Sequence, residues 1–295
     1  MFKVNYYICV SKPNKNIFNC IKSILKQTKQ SKAEIYIIIN SKKKILDKKN
    51  IIDLNKKNTK INFATEKKIG IPFARNKCLE IMKSTCSDFT CLIDDDGILP
   101  KTWLSNMFKA LNQTNSDIIT GPQISKTKNL YEVVLERHAK HNSKVNWAAT
   151  NNVFMKSKII SNIKIKFDTE LKNLGCDDQL FFSQLNLKGY KIYWNKYSPV
   201  FENRDQSKSN FSWFIKRNAR FGSSTKIIYT KLYGPLNGIF YIIPKFSIEF
   251  LKSLYYLLLL PFNFKLNSLF FIQYFIRSFF TALSIFGIKI KEYKT

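Results

Sequence analysis

The sequence is poor in arginine and histidine for a chain with so much positive charge. Only six of its 49 positively charged residues are arginine, it has two histidines and 20 acidic residues, and its formal net charge is +29. Proteins that read nucleic acids more often cluster arginine, whose planar guanidinium binds phosphates and base edges through two hydrogen bonds. The lysine excess therefore argues against a nucleic-acid partner and favours attraction to an anionic membrane surface.

The chain also lacks the patterns of disulfide frameworks, histidine metal sites and secretory leaders. Its six cysteines include no CxxC pair, which indicates free thiols in a reducing compartment. His138 and His141 have no neighbouring acid or cysteine that completes a metal site, so their stretch, ERHAKH, is interpreted as a solvated loop or helix face. The N-terminus shows no charged region followed by an apolar core, so we expect no signal peptide and cytoplasmic chemistry.

Short apolar runs alternate with helical patterns through the first part of the chain. Strands are predicted at residues 3–10, 34–40, 60–65, 88–94 and 116–122, and helices at 16–28, 72–84 and 100–113. This β-α-β-α order predicts an α/β domain with a parallel sheet that is covered by helices on both faces.

Three consecutive acids follow one of these buried strands. The sequence CLIDDDGILP places Asp94, Asp95 and Asp96 at the carboxyl end of the strand, where ligands bind in open α/β sheets. Carboxylates in that position suit Mg²⁺ or Mn²⁺, which combine a few protein oxygens with the oxygens of a substrate diphosphate. Asp and Gly are also ordinary turn residues, so a simple strand end remains the alternative for this motif alone.

Five motifs in this order and spacing resemble glycosyltransferase family 2. They are SILKQ (23–27), GIPFARN (70–76), LIDDDGILPKTWL (92–104), TNNVFMK (150–156) and GCDDQLFFSQLNLKGYKIYW (175–194). The chain is most similar to bacterial members that build exopolysaccharide, capsule or lipopolysaccharide, such as the succinoglycan glucosyltransferases. The resemblance implies a GT-A fold with a Rossmann-like mixed sheet, a nucleotide-sugar donor, expected to be a UDP-sugar, a divalent cation, and inversion at the anomeric carbon.

The same resemblance assigns the cation and the diphosphate. Asp96 is expected to bind the metal, and Asp94, at the other end of the family's DxD element, to share the metal or face the donor ribose, with Asp95 between them. Arg75 of GIPFARN is expected to approach the donor diphosphate, which a guanidinium holds through two hydrogen bonds. The alternative for Arg75 is an exposed helix residue.

Two strand ends depart from the family pattern at the expected nucleotide site. Val10 and Ser11 stand where the family usually has a Thr-Tyr-Asn-like sequence. Asn40 stands where an aspartate usually reads uracil, although an amide can also pair with a pyrimidine edge. The helix after the expected base has Gln184 where the family often has arginine.

GCDDQLFF resembles the family's Gly-x-Glu-Asp element, whose aspartate is taken as the general base. Asp178 occupies the base position, and Asp177 replaces the glutamate on the acceptor side. A carboxylate beside the acceptor hydroxyl, opposite the leaving diphosphate, removes the proton as that oxygen attacks. Acids at a helix start also cap backbone N–H groups, so Asp177 is expected to cap while Asp178 is catalytic.

Further residues are assigned to the two substrates by resemblance. Asn152 of TNNVFMK is expected on the acceptor side, and Trp147 just before it either stacks on a sugar or belongs to the core. Arg204, Arg217 and Arg220 lie in a segment similar to the one that closes over the diphosphate. They are interpreted as phosphate or membrane contacts, with solvated helix charges as the alternative.

The sequence after residue 225 is much more apolar than the rest, with segments at 238–262 and 267–288. Each predicted helix carries a polar stripe, formed by Lys245, Glu249 and Lys252 in the first and by Gln273, Arg277, Thr281 and Ser284 in the second. A hairpin lying in the membrane interface or packed on the catalytic domain is therefore favoured over spanning, which a mid-segment arginine makes costly. The predicted domains are 1–225, catalytic, and 226–295, membrane-associating.

These observations predict a hexosyltransferase-like enzyme. It is expected to be inverting and metal-dependent, and to transfer a sugar to a hydroxyl of a glycan or lipid-linked acceptor in surface polysaccharide biosynthesis. Its expected location is the cytoplasmic side of the cell membrane, peripheral or monotopic. The departures leave open a catalytically inactive relative that binds sugar or acts as a membrane scaffold. A sugar nucleotidyltransferase is disfavoured because CVSKPNKN, near the N-terminus, has no glycine-rich loop.

Overall fold

A computed structural model of the chain describes residues 2–12, 15–27, 32–43, 45–46, 48–54, 59–126, 129–203 and 210–291. The chain divides into two compact units. The first consists of Met1–Lys126, Arg137–Lys172 and Asp177–Asn203, and the second of Thr127–Glu136, Asn173–Cys176 and Arg204–Thr295.

The strands belong to the first unit. They are β1 (Lys3–Val10), β2 (Lys32–Ile39), β3 (Thr59–Thr65), β4 (Phe89–Asp94), β5 (Gly97–Ile98), β6 (Ile118–Thr120), β7 (Gln123–Ser125), β8 (Ser143–Lys144), β9 (Asn152–Lys156), β10 (Ile192–Trp194) and β11 (Val200–Glu202). The helices are α1 (Ile17–Leu25), α2 (Lys48–Ile52), α3 (Ile71–Ser84), α4 (Trp103–Thr114), α5 (Leu130–Leu135), α6 (Lys158–Asn162), α7 (Asp177–Leu187), α8 (Phe211–Ser223), α9 (Thr225–Tyr233), α10 (Pro235–Leu258) and α11 (Phe264–Ile285).

Eight strands form one sheet in the order β3-β2-β1-β4-β9-β6-β10-β8, and β5-β11-β7 form a second. The first four strands of the large sheet are parallel, as the β-α alternation predicts. β9 lies between β4 and β6 and runs antiparallel to both. The large sheet is therefore mixed. The antiparallel strand β9 comes later in the sequence than the alternating segment and lies between two of that segment's strands.

The large sheet is buried on both faces, and β1 shows why. Its side chains alternate with the period of two of a strand, so Tyr6 and Ile8 enter one apolar cluster and Tyr7 enters the other. α1 and α4 cover the first cluster, while α3, α6 and α7 cover the second. This arrangement leaves the carboxyl ends of the parallel strands as an edge that loops can line.

The second unit is helical. α10 packs along α11 after a short turn, which gives the predicted hairpin, and α11 also packs on α8. Gly222 permits the α8–α11 approach, since a Cβ at that position would lie 2.5 Å from the carbonyl oxygen of Arg277. Val134 of α5, Phe214 of α8 and Leu269 of α11 form its apolar cluster. The structure thus groups α8 with the C-terminal helices, whereas the predicted boundary at residue 225 assigns it to the catalytic domain.

Several polar side chains of the hairpin are buried and many large apolar ones are exposed, although Lys252 of the first predicted stripe is exposed. Glu249, Gln273, Thr281 and Ser284 are buried, and the Arg277 Nε donates to the Asn218 Oδ1 over 2.7 Å. Large apolar side chains are exposed instead, with Leu236 at 78%, Phe262 at 83% and Phe286 at 81%. Among the described residues, α11 is the one helix long and apolar enough to cross a membrane by length and composition, a test that core helices of soluble proteins also pass.

Candidate active site

The carboxyl ends of three neighbouring parallel strands meet at one edge of the large sheet. Val10 of β1 pairs with Ile39 of β2, and Cys9 of β1 pairs with Asp94 of β4. The backbone N–H of Asn40 donates to the Val10 carbonyl over 2.8 Å. Val10, Asn40 and Asp94 therefore lie together at the edge where ligands bind in such sheets, and Ser11 follows β1 there as an exposed residue.

A fourth acid, Glu202, joins the acidic triplet. β5 begins directly after Asp96, and antiparallel pairing with β11 places Glu202 opposite Gly97. The Glu202 carboxylate is buried and accepts a hydrogen bond from the Asn151 amide. The sequence offered no signal for this residue, because strands of two and three residues show no periodicity and only their pairing brings Glu202 to the triplet.

Negative charge accumulates around Asp94. Burial raises the pKa of its carboxyl to about 7; Arg75 opposes the rise, and Asp96, Glu202 and Asp178 add to it. Asp95 and Asp96 are half-buried beside it. Carboxylates this close repel one another unless a cation or a proton offsets their charge, so the cluster fits a divalent cation.

The described residues contain no group of three or more histidine, cysteine or acidic side chains arranged to hold a metal ion by themselves. Mg²⁺ and Mn²⁺ do not need such a cage where a substrate supplies phosphate oxygens. The assignment of a cation of that kind to Asp96 and Asp94 stays a prediction. The repulsion between Asp94 and the neighbouring carboxylates agrees with this assignment.

Arg75 and Asp177 form a buried ion pair between α3 and α7. The Arg75 Nη1 lies 2.7 Å from the Asp177 Oδ2, and the two side chains are 11% and 2% exposed. Burial alone would lower the pKa of Arg75, but Asp177, Asp178 and Asp94 raise it above its ordinary value. Burial raises the pKa of Asp177, and Arg75 opposes that rise. Arg75 is therefore a charged interior residue and not an exposed helix residue.

Asp178 follows Asp177 on the first turn of α7. Gly175 and Cys176, with φ of 70° and 62°, turn the chain sharply into this helix, and the Asp178 Oδ1 accepts the Gln179 N–H over 2.8 Å. Asp178 is half-buried, and its charge acts on both Asp94 and Arg75. The predicted metal acids and the predicted base therefore belong to one cluster of interacting charges.

The position of Asp177 differs from the predicted acceptor contact. Its carboxylate is buried and occupied by Arg75, so it orients the guanidinium at the edge of the site. Asp177 begins α7, as expected for an acid at a helix start. The side chain that remains partly accessible on this turn is that of Asp178.

Asn40 holds the loop before α3. Its Nδ2 donates to the carbonyls of Glu66 and Lys68 over 3.0 and 2.8 Å, and its Oδ1 accepts the Gly70 N–H over 2.9 Å. Gly70 has a φ of +137°, which favours glycine at the start of the helix that carries Arg75. Both amide hydrogens of Asn40 are thus used by backbone, and its contact with a base stays a prediction.

Asn152 also has a different task from the predicted acceptor contact. It is fully buried at the start of β9. Its Nδ2 donates to the carbonyls of Pro122 and Ser198 over 2.9 and 2.8 Å, and its Oδ1 accepts the Trp103 Nε1–H over 3.0 Å. The side chain ties loop backbone to the core because every polar atom of its amide has a partner inside.

Trp147 is half-buried, and the Arg137 guanidinium lies over its ring. The guanidinium carbon lies 3.9 Å from the Trp147 ring centroid and 5.2 Å from that of Trp194. The Arg137 Nη2 donates to the Trp147 carbonyl over 3.0 Å. Arg137 belongs to ERHAKH, which the sequence indicates to be solvated, while His141 of the same stretch packs edge-on against Tyr197. Sequence reasoning missed Arg137 because its aromatic partners lie far apart in the chain.

The remaining predicted phosphate contacts belong to the second unit or to residues outside the described ranges. Arg217 and Arg220 are on α8 of the second unit, where their guanidinium carbons lie 5.5 and 5.3 Å from the Phe221 ring centroid. Arg204 lies outside the described residues. Phosphate binding by these three arginines stays a prediction.

The match to a known family decides the identity of the catalytic unit. The family described as Glycosyl transferase family 2 matches residues 8–169, more than half of the chain. The chain belongs to glycosyl transferase family 2. The matched span of this family 2 glycosyltransferase includes Arg75, the acidic triplet and Trp147, and ends before Asp178. No curated protein is significantly similar to the chain in sequence.

Solved structures share the fold of this family 2 glycosyltransferase. One is S. aureus TarS 1–349, with a TM-score of 0.52 and 15% identity over 81% of this chain and 72% of that one. The same protein with UDP aligns over 97% of this chain and 92% of that one, at a TM-score of 0.53 and 12% identity. GalNAc-T7 with UDP, GalNAc and Mn²⁺ has a TM-score of 0.56 and 11% identity over 76% of this chain and 51% of that one.

The family and these structures confirm three predictions. The family is the one that the motifs resemble, the fold is GT-A with a mixed sheet, and the protein is a glycosyltransferase that uses a nucleotide sugar. The roles of individual residues, the cation, the acceptor and the pathway are separate questions.

Proposed function

We propose that the protein is an inverting, metal-dependent glycosyltransferase that moves a sugar from a UDP-sugar to a hydroxyl of a glycan or lipid-linked acceptor in surface polysaccharide biosynthesis. One observation carries this proposal. The Arg75–Asp177 ion pair joins α3 to the first turn of α7, where Asp178 stands, and Asp96 and Asp178 both raise the pKa of Asp94. A cation site for a diphosphate and a carboxylate base for an alcohol are the two parts that an inverting transfer requires.

Each side chain has a defined task in this reaction. Asp178 accepts the proton of the acceptor hydroxyl as that oxygen attacks the anomeric carbon from the side opposite the diphosphate, which inverts the configuration. Asp177 keeps Arg75 charged and fixed, and Arg75 attracts the donor diphosphate. Asp96 and Asp94 would hold the cation, which would supply positive charge to the leaving diphosphate.

The solved structures support the choice of donor and cation. TarS was solved with UDP-GlcNAc, and GalNAc-T7 with UDP and Mn²⁺. The present chain has the same fold and collects carboxylates at the end of β4, where a cation bound to a nucleoside diphosphate fits. We therefore assign Mn²⁺ or Mg²⁺ as the cofactor and a UDP-sugar as the donor.

The second unit supports attachment to the cytoplasmic face of a membrane. Polar side chains such as Glu249 and Gln273 are buried in it, and large apolar side chains such as Leu258 and Phe264 are exposed. Lys289 and Lys291 follow α11, where lysines attract anionic lipid headgroups. We assign a monotopic mode, in which the apolar surface enters the interface and places the enzyme beside lipid-linked acceptors.

The proposal is tested by the release of UDP from a panel of UDP-sugars by the full-length protein with Mn²⁺. The wild-type protein should release UDP slowly without an acceptor, and EDTA should stop the reaction. Asp96→Asn and Asp178→Asn should each lower the rate by about 100-fold or more, since they remove the cation ligand and the base. Asp53→Asn, an exposed acid between α2 and β3, is the matched control and should leave the rate unchanged.

Two outcomes separate the enzyme from the alternative. Retention of a nucleotide sugar without any release of UDP would indicate the inactive, sugar-binding relative. Equal rates for the wild-type protein and both site variants would refute the assigned roles of Asp96 and Asp178.

A further inference from the structure

The first unit contains two arginines, Arg75 and Arg137, and only one of them has a carboxylate as hydrogen-bond partner. Arg75 donates to Asp177. Arg137 donates its Nη2 to the Trp147 carbonyl, while its buried Nη1 finds no acceptor among the described residues. A buried N–H group of a cation is costly to leave without an acceptor, so this nitrogen has capacity for a ligand.

Electrostatics separates the two arginines in the same way. Burial lowers the pKa of Arg137 to about 10, and Asp178 only partly opposes the change. Three carboxylates raise the pKa of Arg75. Arg137 is still a cation at neutral pH, but its positive charge is incompletely balanced by the protein. An anion beside it would supply the missing charge and the missing acceptor.

The aromatic side chains define the form of this site. Trp147, at 3.9 Å, and Trp194, at 5.2 Å, flank the guanidinium and hold its plane. A fixed guanidinium plane selects an oxyanion with two oxygens, a phosphate or a carboxylate, over a neutral hydroxyl. Asp178 is the carboxylate whose charge acts on Arg137, so the guanidinium lies near the proposed base.

We propose that Arg137, held on Trp147 and Trp194, binds a phosphate or carboxylate of the acceptor beside the hydroxyl that Asp178 deprotonates, so that the enzyme selects anionic acceptors. This inference rests on the proposed function, because it takes Asp178 as the base. The anion is a substituent of the acceptor and is distinct from the donor diphosphate, which lies at the acidic triplet and Arg75.

The test measures binding of three probes to the full-length protein in the presence of UDP and Mn²⁺ by titration calorimetry. Glucose 6-phosphate, glucuronate and glucose differ in carrying a phosphate, a carboxylate or no charge. We expect at least one charged sugar to bind about tenfold or more tightly than glucose, as a charge-assisted hydrogen bond provides. The difference between the two charged probes identifies which oxyanion the site accepts.

Arg137→Gln should remove the preference for charge, and Arg137→Lys should retain part of it, because lysine keeps the charge and loses the planar fork. Lys140→Gln, an exposed lysine of the same stretch, is the matched control and should leave binding unchanged. Thermal unfolding of each variant shows whether it is folded.

Equal binding of all three sugars, or binding of none, overturns the inference, as does a preference that persists in folded Arg137→Gln. Release of UDP by the wild-type protein is measured separately and reports on the proposed function alone. Active enzyme without a preference for charge therefore contradicts only the inference, and a preference for charge without release of UDP contradicts only the proposed function.

Discussion

The two units of the chain differ in where they place polar and large apolar side chains. In the first unit, the large apolar side chains lie on both faces of the sheet, and a cluster of acidic side chains lies at the carboxyl ends of its strands. In the second unit, polar side chains such as Gln273 and Thr281 lie between helices, while Phe262 and Phe286 face outward. The first unit has the distribution expected in water, and the second has one expected beside lipid.

Charged side chains likewise differ between the overall sequence and the candidate site. The +29 net charge is spread over lysines throughout the sequence, but the groups with strongly shifted pKa values around Asp94 and Arg75 are few and close together. Shifted groups that share a cleft are characteristic of active sites. Overall composition therefore says more about the surroundings of the protein, and the local cluster more about its chemistry.

The largest expected effect concerns the buried ion pair of the first unit. Arg75→Ala should lower the free energy of unfolding by about 3–5 kcal/mol, because Asp177 is left buried without its partner. Urea denaturation of the full-length protein measures the change. Lys77→Ala removes an exposed pair with Glu80 on the same helix and should cost about 1 kcal/mol or less. Equal costs for both variants would show that burial of the pair contributes nothing.

The same truncation should have different effects in the two units. Ile8→Ala deletes a fully buried side chain of β1 and should cost about 2–5 kcal/mol. Leu258→Ala, at a position 76% exposed, should change the free energy of unfolding by about 0.5 kcal/mol or less. Denaturation in detergent-free buffer compares them. A large loss for Leu258→Ala would mean that its side chain packs against protein.

A smaller effect is expected where helices of the second unit touch. Gly222→Ala should cost about 1–3 kcal/mol, since the added methyl meets the Arg277 carbonyl on α11 and forces α8 away. Lys216→Ala, at an exposed position of α8, is the control and should be close to neutral. Thermal unfolding followed by circular dichroism measures both. A neutral Gly222→Ala would contradict the close approach of the two helices.

The smallest change in the free energy of unfolding should accompany a large loss of membrane binding. Leu258→Ser combined with Phe262→Ser should hardly change the free energy of unfolding but should lower binding to anionic vesicles by about tenfold or more, because two apolar side chains no longer enter the lipid. Vesicle flotation measures the bound fraction. Leu187→Ser, on the exposed face of α7 in the first unit, should bind as the wild type does, and unchanged binding of the double variant would contradict the membrane assignment.

Long elements with strong periodicity were predictable from the sequence. β1 was predicted at residues 3–10 and observed at Lys3–Val10, and α3 was predicted at 72–84 and observed at Ile71–Ser84. Strands of two or three residues, such as β5 and β11, were not predicted, because so few residues carry no periodic signal. Their pairing nevertheless brings Glu202 to the acidic triplet.

The candidate site was predictable where chemistry follows a strong element along the chain. Asp94 ends a buried strand and Asp178 lies at a helix start, and the two charges interact in the structure. The sequence could not show whether Asn152 binds a substrate or forms hydrogen bonds inside the core, because an asparagine in either role looks the same in the sequence. Its three partners come from distant loops and helices.

The sequence by itself determined the family, the α/β order and the positions of the acids, because motifs and side-chain periodicity are properties of neighbouring residues. It also contained both polar stripes of the C-terminal helices, but not the direction in which they face. Only the tertiary structure decided that most of the second stripe and Glu249 of the first are buried. It also decided that Arg75 pairs with a carboxylate, whereas Arg137 has no carboxylate partner among the described residues. Burial and pairing depend on residues far apart in the chain, and the free energy of a buried charge depends on whichever partner the fold brings to it.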